Sequence, residues 1–448
     1  MKNTIIKDIL HYAIHLSVTN LLTVLAGIIS VIFIAHTGEN SLAAFAIANT
    51  TLMTISAFCS ACLYGIGILA SRARASKDVN KATNYSINGV YFALLMSVPA
   101  MIILMSGTYI LKFLNQDLSL IALSTKFFWY SALSMPIIML NSALGQIFIA
   151  AGKPKITSII TAIRLPIIIG LNYYFIFIAN NSGLDGVAKA QLYAQLLCLI
   201  MVVMYIPFSH VAEIFAIKNF ANYEFAIIKK VFNIGIHIGI QFLGELGAIL
   251  LATYMMGMLG IIPLISAQIV GQVSMIVVMV ILAISQAIAI KVSQLHATTN
   301  YALVSLYSRC AIWLNTFVIL VVGLIFFSFN RFIFTTFNVN AANYGQISQL
   351  SNKLMLISLV ILILDGIKNV YSNSLRGLGN SRKPMTLGII SLWTVGIPLA
   401  YLLGIFFNLG PCFLRIGFAC GYLVSAVTIY YYYHRYVLNL QLLKLNIN

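Results

Sequence analysis

Two carboxylates stand where charge is expensive. Of the nine acidic residues, Asp8, Glu39, Asp78, Asp117, Asp185, Glu213 and Glu224 fall in predicted loops or near the N-terminus, and only Glu245 and Asp365 fall inside long apolar runs. A charged side chain at the centre of a bilayer costs about 2.5–3.5 kcal/mol on insertion scales, so such residues face a bundle interior or wet cavity and mark ion paths. A low-dielectric site favours the neutral form of an acid, which can then exchange a proton, a sodium ion or a cationic ligand. Polar neighbours recur at helical spacing. His237, Gln241 and Glu245 form one stripe, Asp365, Lys368, Asn369 and Ser372 a second, and Gln268 with Gln272 a third. Together they predict a hydrated pocket, although the two glutamines serve equally well as hydrogen-bonding glue between helices. Lys368 lies one turn from Asp365 and is expected to pair with it. That pairing could neutralise the acid or regulate it.

Other reactive side chains read as structural. Cys59-Ser-Ala-Cys62 lies mid-run without a second pair or a histidine, which suits core packing better than metal or redox chemistry. Arg164 is expected to snorkel toward the cytoplasmic face. Tyr430–Tyr433 followed by His434-Arg435 reads as an interfacial aromatic belt, and His36, at the outer end of the first span, reads equally well as inert or functional. The spacings identify no metal, and no cofactor is called for.

The elements that must hold these residues are membrane helices. The 448-residue chain is 61% hydrophobic and 8% charged, where a soluble domain averages about 25% charged residues. Apolar runs predict spans near 12–36, 42–70, 86–112, 121–148, 156–179, 190–208, 232–258, 264–290, 307–328, 350–374, 385–408 and 413–433. The stretch from Tyr12 to Ala35 is too long for a signal-peptide core and reads as the uncleaved first span. No phosphate loop appears and no soluble module fits, so energy must come from a gradient or from the substrate. The net charge of +17 tempts a nucleic-acid reading, but Lys and Arg cluster in alternate connections, 18 on one side against 6 on the other. Arg72, Arg74, Lys218, Lys229, Arg376 and Arg382 belong to the richer side. This is the positive-inside pattern. It places both termini in the cytoplasm and predicts a multi-pass bacterial inner-membrane protein with no nucleic-acid partner.

The halves repeat. Residues 13–38 align with 235–260 at an offset of 222 without a gap, and the register continues through Leu42/Leu264, Ile47/Ile269 and Ser71/Ser293. A second block aligns Leu123–Lys126 with Leu350–Lys353, and Gly152 with Gly379, at an offset of 227. Six spans per repeat make the copies parallel, which in transporters puts a substrate site near the midplane between halves that rock. The expected fold is an all-α membrane protein of twelve transmembrane helices in two pseudo-twofold-related six-helix lobes. Those lobes are residues 1–208 and 231–448, joined by a cytoplasmic connection at 209–230. In that connection Phe215, Phe220, Tyr223 and Phe225 suit an amphipathic surface helix. Thr23 and Ile138 stand at the repeat positions of Glu245 and Asp365, so the acids are confined to the C-terminal half.

Several segments resemble the multidrug and toxic compound extrusion (MATE) transporters, nearest their NorM-like branch. Gly235–Glu245 resembles that branch's seventh helix, Asp365–Lys368 with Ser374–Pro384 its tenth helix and following loop, Trp393–Ala400 its eleventh, and Gly183–Ala190 the segment before its sixth. The resemblance covers nearly the whole chain in order. It implies a monomeric secondary transporter, not an enzyme, that exports amphipathic and often cationic compounds by H+ or Na+ antiport, with Glu245 and Asp365 as the cation-binding acids. The sequence departs from the family at His15 and His237, where proline is usual, and at Lys368, where glutamine is usual. The first-helix aspartate of the family is replaced by Val31, so the proton-switch role that rests on it does not carry over. A lipid-linked oligosaccharide flippase of the related superfamily is the alternative within transport, but it would favour more Arg and Lys in the cavity. An intramembrane acid-dependent enzyme is the alternative of another class, and the Gly-Glu-Leu and Leu-Asp-Gly settings do not suit it.

Overall fold

Long apolar runs with few charges must satisfy every backbone N–H and C=O internally once they leave water, and helices do so within one segment. The computed structural model describes residues 2–37, 39–113, 118–179, 183–208, 223–329 and 344–445. Among these, twelve helical segments are long and apolar enough to cross a membrane, matching the twelve predicted runs in order. They comprise α1 (Lys2–Ala35), α2 (Glu39–Cys62) continuing into α3 (Tyr64–Ala75), α4 (Val79–Met105), α5 (Gly107–Phe113, a short helix outside the spans), α6 (Leu118–Ala150), α7 (Pro154–Tyr173), α8 (Gly183–Tyr205), α9 (Phe225–Met258), α10 (Ile261–Ala297), α11 (Tyr301–Ser328), α12 (Tyr344–Gly377), α13 (Arg382–Ser391) running on through α14 (Ile397–Tyr401), and α15 (Pro411–Leu445). The surface helix expected within 209–230 falls largely outside the described residues. Only its last residues, from Tyr223, are described, and those from Phe225 form the first turns of α9.

The backbone repeats where the sequence does. Lys77 (φ 60°) and Thr299 (φ 53°) adopt the left-handed conformation at an offset of 222. After each, an N–H closes the preceding helix end, Asp78 to the Ala73 carbonyl at 3.1 Å and Asn300 to Leu295 at 3.0 Å. Gly152 (φ 76°) and Gly379 (φ 96°) do the same at the offset of 227, with Lys153 bonded to Phe148 and Asn380 to Leu375, both at 2.9 Å. This is the Schellman closure of a helix C-terminus. π-Helical turns at Tyr174–Ile178 and Leu402–Phe406 are likewise 228 residues apart. A further π turn, Leu392–Gly396, precedes Pro398, which lacks the N–H that a regular ladder would need.

Two compact units emerge: Val18–Gly239, and Met1–Ser17 together with Ile240–Asn448. Both divisions fall inside helices, α1 and α9, and at repeat-equivalent positions. Within the first unit Phe127, Phe128, Phe148, Leu63 and Ile66 centre the core. The first turns of α9 press on the junction of α2 and α3 there, since a Cβ on Gly235 would overlap the Cys62 carbonyl oxygen and one on Gly65 would come 2.7 Å from the Val231 oxygen. Within the second unit Ala248, Val270, Met355, Leu392 and Leu414 pack together. There the start of α1 is tied down by Asp8, which accepts from the Tyr307 hydroxyl at 2.8 Å and pairs with Lys291 at 3.5 Å.

Candidate functional site

In the second unit, α9 and α12 turn their polar stripes toward each other. Lys368 is fully buried, with its ammonium 2.7 Å from Asp365 Oδ1 and 2.8 Å from Glu245 Oε1. The first contact follows from the i, i+3 spacing; the second joins residues 123 apart in sequence. Gln241, one turn before Glu245, donates from Nε2 to the same Glu245 oxygen at 2.8 Å. Its own carbonyl accepts from Arg376 Nη2 at 2.7 Å, while Arg376 Nη1 reaches Asn373 Oδ1 at 3.1 Å. The Lys368 ammonium also lies 5.1 Å above the Tyr422 ring of α15. Two anions and two cations thus share one hydrogen-bonded chain, Asp365–Lys368–Glu245–Gln241–Arg376. Glu245 is its most accessible acid, with 18% of the side chain exposed against 9% for Asp365.

Glu245, Asp365, Lys368 and Gln241 come together as their spacing suggested, and Asn369 lies buried one residue further along α12. Gln268 and Gln272 are exposed on α10 and have no hydrogen bond to this chain of groups, because their face of the helix turns away from α12. His237 bonds instead to the Asn233 carbonyl of its own helix and belongs to the part of α9 grouped with the first unit. Arg376 corrects the topological reading. It is 4% exposed and sits in the last turn of α12, not in a cytoplasmic loop. Its signal was present in the sequence, since 365, 368, 372 and 376 continue one helical stripe. Three acids assigned to loop or terminus are helical: Asp8 in α1, Glu39 at the start of α2, and Asp185, which is buried in the first turn of α8 and 3.4 Å from Lys126.

A second polar seam runs between α1 and α7 in the first unit. Thr19 meets Ser158 at 3.4 Å, Arg164 Nη2 donates to Thr23 Oγ1 at 3.3 Å, and Asn172 Nδ2 donates to Ser30 Oγ at 3.2 Å. Arg164 therefore reaches across to α1 and does not snorkel to the cytoplasmic face.

The MatE family model matches residues 16–174 and 238–402, together well over half of the chain, and the two matched segments begin 222 residues apart. That is the offset of the internal repeat. A probable multidrug resistance protein NorM of Synechocystis sp. is 23% identical over 427 residues, covering 94% of this chain and 92% of its own. Its namesake from Bradyrhizobium diazoefficiens is 25% identical, covering 88% and 85%. Among solved structures, the outward-facing conformation of a multidrug resistance MATE family transporter of the MOP superfamily superposes with a TM-score of 0.88 at 18% identity, covering 97% of this chain and 96% of that one. A MOP superfamily transporter from Pyrococcus furiosus, described by the reverse polarity of its binding pocket, gives 0.88 at 18% identity, covering 98% and 97%. With twelve membrane-length helices, a duplicated sequence matched in both copies and this fold, the chain is a multi-pass membrane protein of the multidrug and toxic compound extrusion (MatE) family.

Proposed function

We propose that this chain is a secondary active exporter of amphipathic organic compounds, driven by proton antiport through Glu245 and Asp365. The observation that carries the reading is Lys368, which binds both acids from a fully buried position. A sodium ion needs several oxygens around it, and here the ammonium already takes the place between the two carboxylates. A proton needs only one oxygen. Protonation of Glu245, the more exposed acid, breaks one of the two ion pairs of Lys368 and loosens the link between α9 and α12. Deprotonation restores it. Alternating access follows when the two arrangements favour opposite openings of the substrate path. The carbon-rich spans suit amphipathic cargo, and the relatives' names point to drugs. The arrangement of Lys and Arg supports a bacterial inner-membrane location with both termini cytoplasmic, and the completeness of the ion network within one chain supports a monomer.

The test is purified protein in proteoliposomes with an imposed proton or sodium gradient and a fluorescent amphiphile. Export should follow the proton gradient, and Glu245→Gln should abolish it while leaving insertion and folding intact. Gradient-driven export by Glu245→Gln at the wild-type rate would refute the coupling role.

A further inference from the structure

The Lys368 network of the second unit and Arg164 of the first handle buried charge differently. In the second, every cation of the network has an acceptor and the charges balance. In the first, Arg164 meets no acid among the described residues. Among the described residues its guanidinium bonds to the Thr23 hydroxyl at 3.3 Å, and its Nε is buried without an acceptor. The acids described in that unit are engaged elsewhere: Asp78 with Lys81, Asp185 with Lys126, and Glu224 with Asn84. Thr23 is itself spent as a donor, bonding back to the Thr19 carbonyl at 2.8 Å, so its oxygen is left to accept from the guanidinium. Thr23 is also the repeat counterpart of Glu245. The position that supplies an anion in one unit supplies a neutral hydroxyl beside a cation in the other.

Depth and access complete the picture. Arg164 lies ten residues after Pro154 in a 25-residue span, which at helical rise puts it about 15 Å from the cytoplasmic end, below the reach of resident headgroups. The side chain is half-buried and Thr23 is exposed, so the pair can be approached. Ile163, the preceding residue, is apolar and exposed, while Ile167, one turn on, is partly buried against Ala26 and Ala194. A guanidinium offers a planar fork to a carboxylate, sulfonate or phosphate.

We propose that Arg164 and Thr23 form a binding site for the anionic group of an amphipathic ligand, so that the cargo is acidic or zwitterionic where the family resemblance implied a cation. This deepens the transport reading and rests on it for the route by which the ligand leaves, but binding is measured without a gradient. Its failure is therefore distinct from failure of export.

The experiment is equilibrium binding of radiolabelled taurocholate and of tetraphenylphosphonium to the full chain in phosphatidylcholine nanodiscs. Taurocholate should bind the wild type, and Arg164→Gln should weaken it about tenfold or more while leaving tetraphenylphosphonium unchanged. Arg164→Lys, which keeps the charge and loses the fork, should bind more weakly than wild type but more tightly than Arg164→Gln. Thr23→Glu should abolish taurocholate binding as well, because it gives Arg164 an internal carboxylate. That variant keeps the buried cation paired and so remains informative where Arg164→Gln fails to fold. Adding phosphatidylglycerol to the discs distinguishes two sources of the same chemistry: competition identifies a lipid as cargo, and its absence a soluble amphiphile. Taurocholate bound equally by wild type, Arg164→Gln and Thr23→Glu, or not bound by wild type, overturns the proposal.

Discussion

Lys368 sets the energetics of the second unit's polar site because two acids depend on it. Breaking a buried ion pair from one side costs about 3–5 kcal/mol, as the stranded charge stays desolvated. Lys368→Gln strands two carboxylates and should lose at least that much in denaturation followed by exposure of the buried cysteines. Asp365→Asn leaves Lys368 with Glu245 and should cost less, about 1–3 kcal/mol. Adding Lys368→Gln to Asp365→Asn should then cost less than Lys368→Gln does alone, a coupling that a double-mutant cycle reads directly. Equal and additive losses would mean the short contacts carry no energy. The Asp365–Lys368 pair was legible in the sequence because one helical turn separates the residues. The bond to Glu245 was not, since no local pattern reports which faces of α9 and α12 meet. Arg376 was misread for a related reason. A basic residue beside Gly377 resembles a loop boundary, and only its place on the 365–376 stripe marks it as interior.

Among the elements, the helix ends and crossings carry the clearest tests. Thr299 is β-branched and left-handed, a conformation that costs about 1–2 kcal/mol for a residue with a Cβ. Thr299→Gly should recover about 1 kcal/mol in the same unfolding measurement, and Lys77→Gly should act in the same direction. Asp78 caps α4 by accepting from the Lys81 N–H at 3.0 Å, and the Lys81 side chain holds its carboxyl below the usual carboxylate range. Asp78→Ala should lower stability and fray the start of α4, read as faster amide exchange in its first turn. The depressed pKa makes this contribution present above the unfolded-state value and lost as pH falls through the folded one. Asn300, its repeat counterpart, makes no side-chain cap, and Asn300→Ala should change little. Gly235→Ala drives a methyl into the Cys62 carbonyl and should prevent folding, whereas Gly271→Ala, with nothing within 4 Å, should be neutral or stabilising by up to about 1 kcal/mol. Glycines 152 and 379 announced their shared turn in the sequence. Lys77 and Thr299 did not, because neither residue type advertises a left-handed backbone.

At the scale of the whole molecule, the repeat was legible as a register of matched residues, while the grouping of helices was not. The sequence suggests a boundary in the 209–230 connection, yet the first turns of α1 and α9 pack with the unit that does not hold the rest of their helix. Burial in three dimensions decides that, and periodicity along one chain has no access to it. A chain cut within 209–222 should therefore yield halves that are degraded when expressed singly and co-purify when expressed together. A stable, monodisperse single half would rule this out. The balanced network has an electrical consequence. Asp365, Glu245, Lys368 and Arg376 sum to zero when all are ionised, so the membrane potential does no net work on them together. One added proton makes the cluster a unit charge, on which 100 mV is worth about 2.3 kcal/mol. A pH jump on a supported membrane should displace charge, a voltage step at constant pH should displace none from this cluster, and Glu245→Gln should silence the pH response. Under the proposed proton coupling, voltage becomes a driving force only after the proton has arrived, and an energised membrane leaves the unprotonated chain at rest.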